Sequence, residues 1–162
     1  MGESAGAHLA ALLGLTGGRR GADGPYGAVA GVVDWYGAAD LTTMAAQAMP
    51  TAIARSDDPD SRESQLLGVP VGEAPELARR ASPVNHVHPG APPFHIAHGD
   101  VDRFVPVAQS RQLAERLRGA GVAVEFTEVP GADHLWMNAP DPEALLGSAM
   151  DFSRRVTASR AP

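Results

Sequence analysis

The chain opens on Met1-Gly2-Glu3-Ser4-Ala5-Gly6, so that residues 2–6 read G-x-S-x-G. No other feature restricts the fold as strongly. The pattern calls for a sharp turn from a strand into a helix, with the serine hydroxyl lifted above the sheet. Glycines flank it where the approach of helix and strand leaves no room for a Cβ. Only Met1 precedes the motif, so the strand entering the turn is expected to be absent, and Met1 reads as a residue from inside such a strand.

The rest of the sequence continues in the same alternation. Residues 5–13 form a helix with Leu9, Leu12 and Leu13 as its apolar face, ended by Gly14, Gly17 and Gly18. Residues 28–33 are almost wholly apolar, as in a strand covered on both faces, and Asp40 can cap a helix starting near Leu41. Residues 42–90 are the least regular part, with a short helix at 75–80. The 42–80 stretch reads as an insertion on the rim, either a lid or specificity loop or a plain solvated connection.

A buried strand at 94–98 follows, then a helix carrying Val107, Ser110, Ala114 and Leu117 and closed by Gly119 and Gly121. Val122, Val124 and Phe126 alternate with Ala123, Glu125 and Thr127, which suits an edge strand. Asp141 and Pro142 start a last helix with Leu145, Ala149, Phe152 and Val156 in one stripe, and residues 157–162 read as a disordered tail. Strand, helix, strand, helix with short links means α/β with parallel strands and flanking helices. Residues 1–162 form a single incomplete domain without internal repeats. Lacking a neighbour, the apolar strand at 28–33 is expected to be an exposed edge open to self-association.

Composition removes several function classes. Hydrophobic residues make up 44% and charged residues 20% of the 162, which is a globular balance. All 13 basic residues are arginine and the net charge is −6. The arginine pairs at 19–20, 79–80 and 154–155 are isolated and lack aromatic interleaving, so no nucleic-acid groove is expected. The absence of lysine beside abundant Ala, Gly and Pro fits a GC-rich bacterial source. Without cysteine there is no disulfide, thiolate metal site or thiol nucleophile. No apolar run reaches the length of a membrane span. No secretory signal is visible, and the compartment stays open.

A serine on such a turn becomes chemically useful when an acid and a histidine follow it in that order, each just past a strand. His98-Gly99-Asp100-Val101-Asp102 follows one strand, and Gly131-Ala132-Asp133-His134 follows the last. Plainer readings exist. Ser4 is also suited to cap a helix. Asp100 competes with Asp102 and is the better turn aspartate. His98 competes with His134 but precedes the acid. The cluster of His95, His98, Asp100 and Asp102 hints at a metal, yet His95 and His98 face opposite sides of a strand, so no metal site is expected. His86 and His88 read as solvated loop residues. Trp35, Tyr36 and Trp136 suit an acyl pocket or, more commonly, the core.

Four segments together resemble a known family. Gly2-Glu3-Ser4-Ala5-Gly6-Ala7-His8-Leu9-Ala10, Val33-Asp34-Trp35-Tyr36-Gly37-Ala38-Ala39-Asp40-Leu41, residues 93–106 and Val129-Pro130-Gly131-Ala132-Asp133-His134 resemble the α/β-hydrolase esterases and lipases related to hormone-sensitive lipase and feruloyl esterases. The resemblance covers nearly the whole chain except the 42–80 insertion. It implies the C-terminal part of an α/β-hydrolase fold, beginning at the serine turn with the N-terminal strands missing. It also implies a serine hydrolase of carboxylic esters with Ser4 as nucleophile, Asp102, the second aspartate of its segment, as acid and His134 as base. The backbone N–H of Ala5 would serve the oxyanion hole, a small-molecule ester would be the substrate, and no cofactor is required. The family commonly has glycine at positions 7 and 133 and Gly-Phe in place of Leu135-Trp136. Its His-Gly-Gly loop, a second source of oxyanion amides, has no counterpart here, so impaired activity is expected of this chain. Two other readings are a serine peptidase of the prolyl-oligopeptidase type and a non-catalytic hydrolase remnant.

Overall fold

The computed structural model describes residues 1–17 and 29–158. Four parallel strands form one sheet in the order β1 (Gly2–Glu3), β2 (Val32–Trp35), β3 (Phe94–Gly99) and β4 (Val124–Val129). Helix α1 (Ala5–Thr16) follows β1. The short helices α2 (Met44–Gln47), α3 (Arg62–Leu67) and α4 (Pro75–Ala81) lie between β2 and β3. Helix α5 (Val107–Gly119) joins β3 to β4, and α6 (Pro142–Ala158) follows β4. Parallel neighbours require long crossovers of this kind.

Strand alternation divides the core into two layers. Val32, Phe94 and Ile96 meet Ala11 and Leu15 of α1 and Leu113, Ala114 and Leu117 of α5. Val33, Trp35 and Ala97 point the other way, onto Ala149 and Phe152 of α6. Covered on both faces, β2 and β3 are buried at every position. β4 is one of the two outer strands, and its Glu125 and Thr127 face solvent. A third apolar cluster of Leu41, Val71 and Ala78 anchors the β2–β3 connection.

Several boundaries differ from the sequence reading. The strand entering the serine turn is present as two residues, with Gly2 opposite Asp34 and Glu3 opposite Trp35, and the Ser4 amide extends the ladder to the Trp35 carbonyl at 2.9 Å. The strand expected at 28–33 forms at 32–35 instead, because its ladder to β3 pairs Val32 with Phe94 and Trp35 with Ala97; Ala28 lies outside the described residues. Gly14 does not end α1. It sits inside the helix, where an added Cβ would stand 2.4 Å from Val32 Cγ2, so it lets helix and strand touch. The helix runs to Thr16 and Gly17 caps it; Gly18 is outside the described residues.

Asp40 caps no helix: its Oδ1 accepts from the Thr42 N–H and hydroxyl, and its Oδ2 from Gln112 Nε2. The strand read from Val122 begins at Val124 and continues to Val129, in register with β3. Helix α6 includes residues 157 and 158 of the expected tail; 159–162 lie outside the described residues.

Candidate active site

Ser4 occupies the N-cap position of α1 but caps nothing with its side chain. Its backbone stands at φ 50°, ψ −120°, a left-handed conformation that a residue with a Cβ adopts only under constraint. Two contacts supply that constraint. The ladder to Trp35 holds the amide, and at Gly2 an added Cβ would meet the Gly6 carbonyl oxygen 2.2 Å away. The crowding expected at both glycines holds only for Gly2; among the described residues nothing lies within 4 Å of a Cβ placed on Gly6.

The hydroxyl freed by this turn lies 2.9 Å from Nε2 of His134. On the other side of the ring, Nδ1–H donates to Oδ2 of Asp102 at 2.7 Å. That fixes the tautomer and leaves Nε2 as the acceptor for the serine proton. Asp102 is 1% exposed and its oxygens are fully engaged. Oδ1 accepts the backbone N–H groups of Phe104 and Val105 at 2.8 and 2.9 Å, and Oδ2 also lies 3.3 Å from His98 Nε2. Burial works against its ionisation, but the hydrogen bonds from His134, His98 and the Val105 amide outweigh that and hold the carboxyl well below the usual range.

Ser4, Asp102 and His134 are thus brought together from the ends of three parallel strands. The competing residues have other places. Asp100 accepts the Gly131 N–H at 2.7 Å, a turn contact. His98 Nε2–H points at the Val105 carbonyl at 2.9 Å, and its Nδ1 faces the Ser110 hydroxyl at 2.7 Å. His95 points to the opposite face, against Phe152 and Glu125. No cluster of three or more His, Cys, Asp or Glu able to hold a metal occurs among the described residues. His86 bonds to the Arg80 carbonyl in α4, and His88 accepts the Gly90 N–H in its own loop. Trp35, Tyr36 and Trp136 belong to the core layer under α6.

Some contacts around the site escaped the sequence reading. Tyr36 packs its ring 4.8 Å from that of His134 and donates its hydroxyl to Glu3 at 2.8 Å. Phe104 covers the other side of the imidazole at 5.1 Å. His98 touches the acid itself. His98 lies four residues before Asp102, a spacing that fixes no contact where the chain leaves β3 for a loop.

An open cavity of about 950 Å³ begins at Ser4, Ala5 and His8. Ala38, Leu41, Phe104 and Val105 give it an apolar wall. Ile53–Arg55, Asp58 and residues 60–63 and 65–66, from the β2–β3 connection, supply the other side, which mixes Ile53 and Leu66 with Arg55, Asp58, Arg62 and Glu63. His8 donates its Nδ1–H to the Ala38 carbonyl at 2.8 Å, and burial lowers its pKa.

The parallel sheet, the strained serine between strand and helix, and an acid and histidine after the next strands define an α/β-hydrolase. The chain belongs to the BD-FAE family, whose profile matches residues 1–117. Esterase LipQ of Mycobacterium tuberculosis is 38% identical over 141 residues, covering 82% of this chain and 31% of LipQ. Esterase LipC of the same organism is 35% identical over 142 residues, with 82% and 33% covered. The chain therefore spans about a third of the length of these relatives. Among solved structures, a truncated carbohydrate esterase from gut microbiota superposes with a TM-score of 0.82 at 29% identity, covering 97% of this chain and 58% of the other. No described helix is long and apolar enough to cross a membrane.

Proposed function

We propose that this chain carries the catalytic residues of a carboxylic ester hydrolase. The observation that supports it best is the continuous contact from Ser4 Oγ through the His134 ring to Asp102, at 2.9 and 2.7 Å, at the head of the cavity. In this reading His134 Nε2 takes the hydroxyl proton as Ser4 attacks the ester carbonyl carbon. Asp102 stabilises the imidazolium, and the Ala5 N–H donates to the tetrahedral oxyanion. The C–O bond to the alcohol then breaks and the alcohol leaves with the proton from His134. Water, deprotonated by the same nitrogen, releases the acid from acyl-Ser4.

The cavity fits an ester with an apolar acyl part and a polar alcohol part. Ala38, Leu41, Phe104 and Val105 suit the former, and Asp58, Arg62 and Glu63 the latter. The named similarity to a carbohydrate esterase agrees with a sugar as the alcohol. The 42–80 segment acts here as a specificity wall. Residues 1–162 alone turn over more slowly than the longer relatives, since only Ala5 is assigned to the oxyanion.

Two measurements test this reading. p-Nitrophenyl acetate and butyrate are expected to be cleaved, and Ser4→Ala to lower turnover by at least about 10⁴-fold. A fluorophosphonate is expected to modify Ser4, as located by peptide mass spectrometry. Undiminished cleavage by Ser4→Ala, or labelling elsewhere, overturns the assignment. Preferred cleavage of a prolyl amide would favour the peptidase.

A further inference from the structure

We propose that Arg103 and Asp133 form a positioning clamp that holds the acid-bearing loop against the histidine-bearing loop and so sets the Asp102–His134 contact. The inference rests on the roles assigned to Asp102 and His134 above. The sheet cannot set this contact by itself. Pairing between β3 and β4 ends at Gly99 and Val129, so Asp102 lies three residues, and His134 five, beyond the last ladder pair. Beyond it the Asp100 N–H donates to the Val129 carbonyl at 3.1 Å, the Val101 N–H to the Ala132 carbonyl at 3.2 Å and the Gly131 N–H to Asp100 Oδ1 at 2.7 Å. These bonds stop one residue short of Asp102 and two short of His134, and a short hydrogen bond tolerates a displacement of only a few tenths of an ångström.

Asp133 closes the gap. It is 4% exposed, and its carboxylate accepts three hydrogen bonds and forms an ion pair with Arg103 across the two loops. Oδ1 accepts the backbone N–H of Arg103 at 2.9 Å and that of His134 at 2.8 Å. Oδ2 accepts the Nε–H of the Arg103 guanidinium at 2.6 Å, and Nη2 of the same group stands 2.5 Å from it as an ion pair. The two residues thus joined are the chain neighbours of Asp102 and His134. Burial disfavours the charged Asp133, but the Arg103 and His134 amides and the guanidinium outweigh it and hold its carboxyl below the ordinary range.

Arg103 has one further bond that the test must separate. Its carbonyl accepts the Ile53 N–H at 3.0 Å and so touches the cavity wall. Side-chain variants leave that carbonyl in place.

The decisive readout is the Nδ1 proton of His134, observed by low-field proton NMR on the full chain and assigned through its loss in Asp102→Asn. In Arg103→Met and in Asp133→Ala this proton is expected to exchange with water at least roughly tenfold faster than in the wild type, as befits a loosened charged hydrogen bond. Arg103→Lys, which keeps a donor for Asp133, is expected to restore much of the protection. The two substitutions remove opposite charges, so a purely electrostatic influence would move the exchange rate in opposite directions. Acceleration in both supports the clamp. Unchanged exchange in both, or changes of opposite sign, overturns it while the proposed function stands. A wild-type spectrum without any proton sensitive to Asp102→Asn overturns the Asp102–His134 pairing and the clamp together. Dispersed amide spectra establish that each variant is folded; should Asp133→Ala fail to fold, Arg103→Met against Arg103→Lys decides, since the Arg103 side chain is 40% exposed.

Discussion

Asp34 is 2% exposed in the middle of the sheet, and its Oδ1 accepts the Gly37 N–H at 3.0 Å. Burial raises its pKa from 3.8 to about 6, against the opposing pull of the Gly37 amide and of His98. An acid raised in the folded state stabilises the fold fully below its unfolded pKa, and that contribution is lost as pH rises through the folded value. The window here runs from roughly 4 to 6. Asp34→Asn keeps the acceptor without the charge. It is expected to stabilise the chain by up to about 3 kcal/mol at pH 7.5 and by little at pH 4, as read from urea unfolding at the two values. An equal effect at both would count against the buried charge. Asp102 has the opposite sign: its contribution is present above the unfolded value and lost as pH falls through the lower folded one. Of the site residues, Ser4, Asp102 and His134 were legible in the sequence because each sits in a motif with a chemical reason. The contacts of Tyr36 and Phe104 with His134, and of His98 with Asp102, were not, since they join side chains from β3 and from the segments after β2, β3 and β4 that meet only in space.

Helix α1 shows how closely elements must approach for the site to form. Gly14 lies against Val32, and the Cβ of Gly14→Ala would press on Cγ2. The helix carrying Ser4 at its start would have to shift. Gly14→Ala is expected to cost about 1–3 kcal/mol, and each kcal/mol lowers the melting temperature by about 2–4 °C. A variant as stable as the wild type in differential scanning calorimetry would mean that the packing yields easily. Facing the serine, the β2–β3 connection contributes Ile53 and Leu66 to the cavity. Ile53→Ala and Leu66→Ala are expected to change KM for butyrate relative to acetate esters by roughly tenfold, with kcat nearly unchanged. A pure kcat effect would place the wall in the chemistry instead. The existence and type of β3, α5 and α6 followed from apolar periodicity. The bounds of α1 and β2 did not, because a glycine in close contact and a parallel ladder override local preference at those positions.

At the scale of the molecule, the sheet has one outer strand of only two residues, β1, paired to Asp34 and Trp35 but not, among the described residues, to Val32 or Val33. Leu9 and Leu13 of α1 and Leu146 and Met150 of α6 are exposed, one helical turn apart in each pair. A two-residue edge strand and exposed apolar side chains on α1 and α6 lead us to propose that the chain associates with itself. Sedimentation velocity is expected to show species whose size grows with concentration, and Leu146→Glu with Met150→Glu to reduce it. A monomer at every concentration would refute the expectation.

From the sequence alone followed the alternation of strands and helices, the parallel sheet, and a serine, an acid and a histidine in the order that ester chemistry uses. These depend on spacing and residue type, which a linear chain carries in full. Tertiary structure alone decided that Gly2 and Glu3 form a strand, that Asp102 also meets His98, and that Asp133 is bound to Arg103. Each of these depends on where two loops end after their strands have paired. That position is set by contacts between residues about 30 apart in the chain, and no local pattern records it.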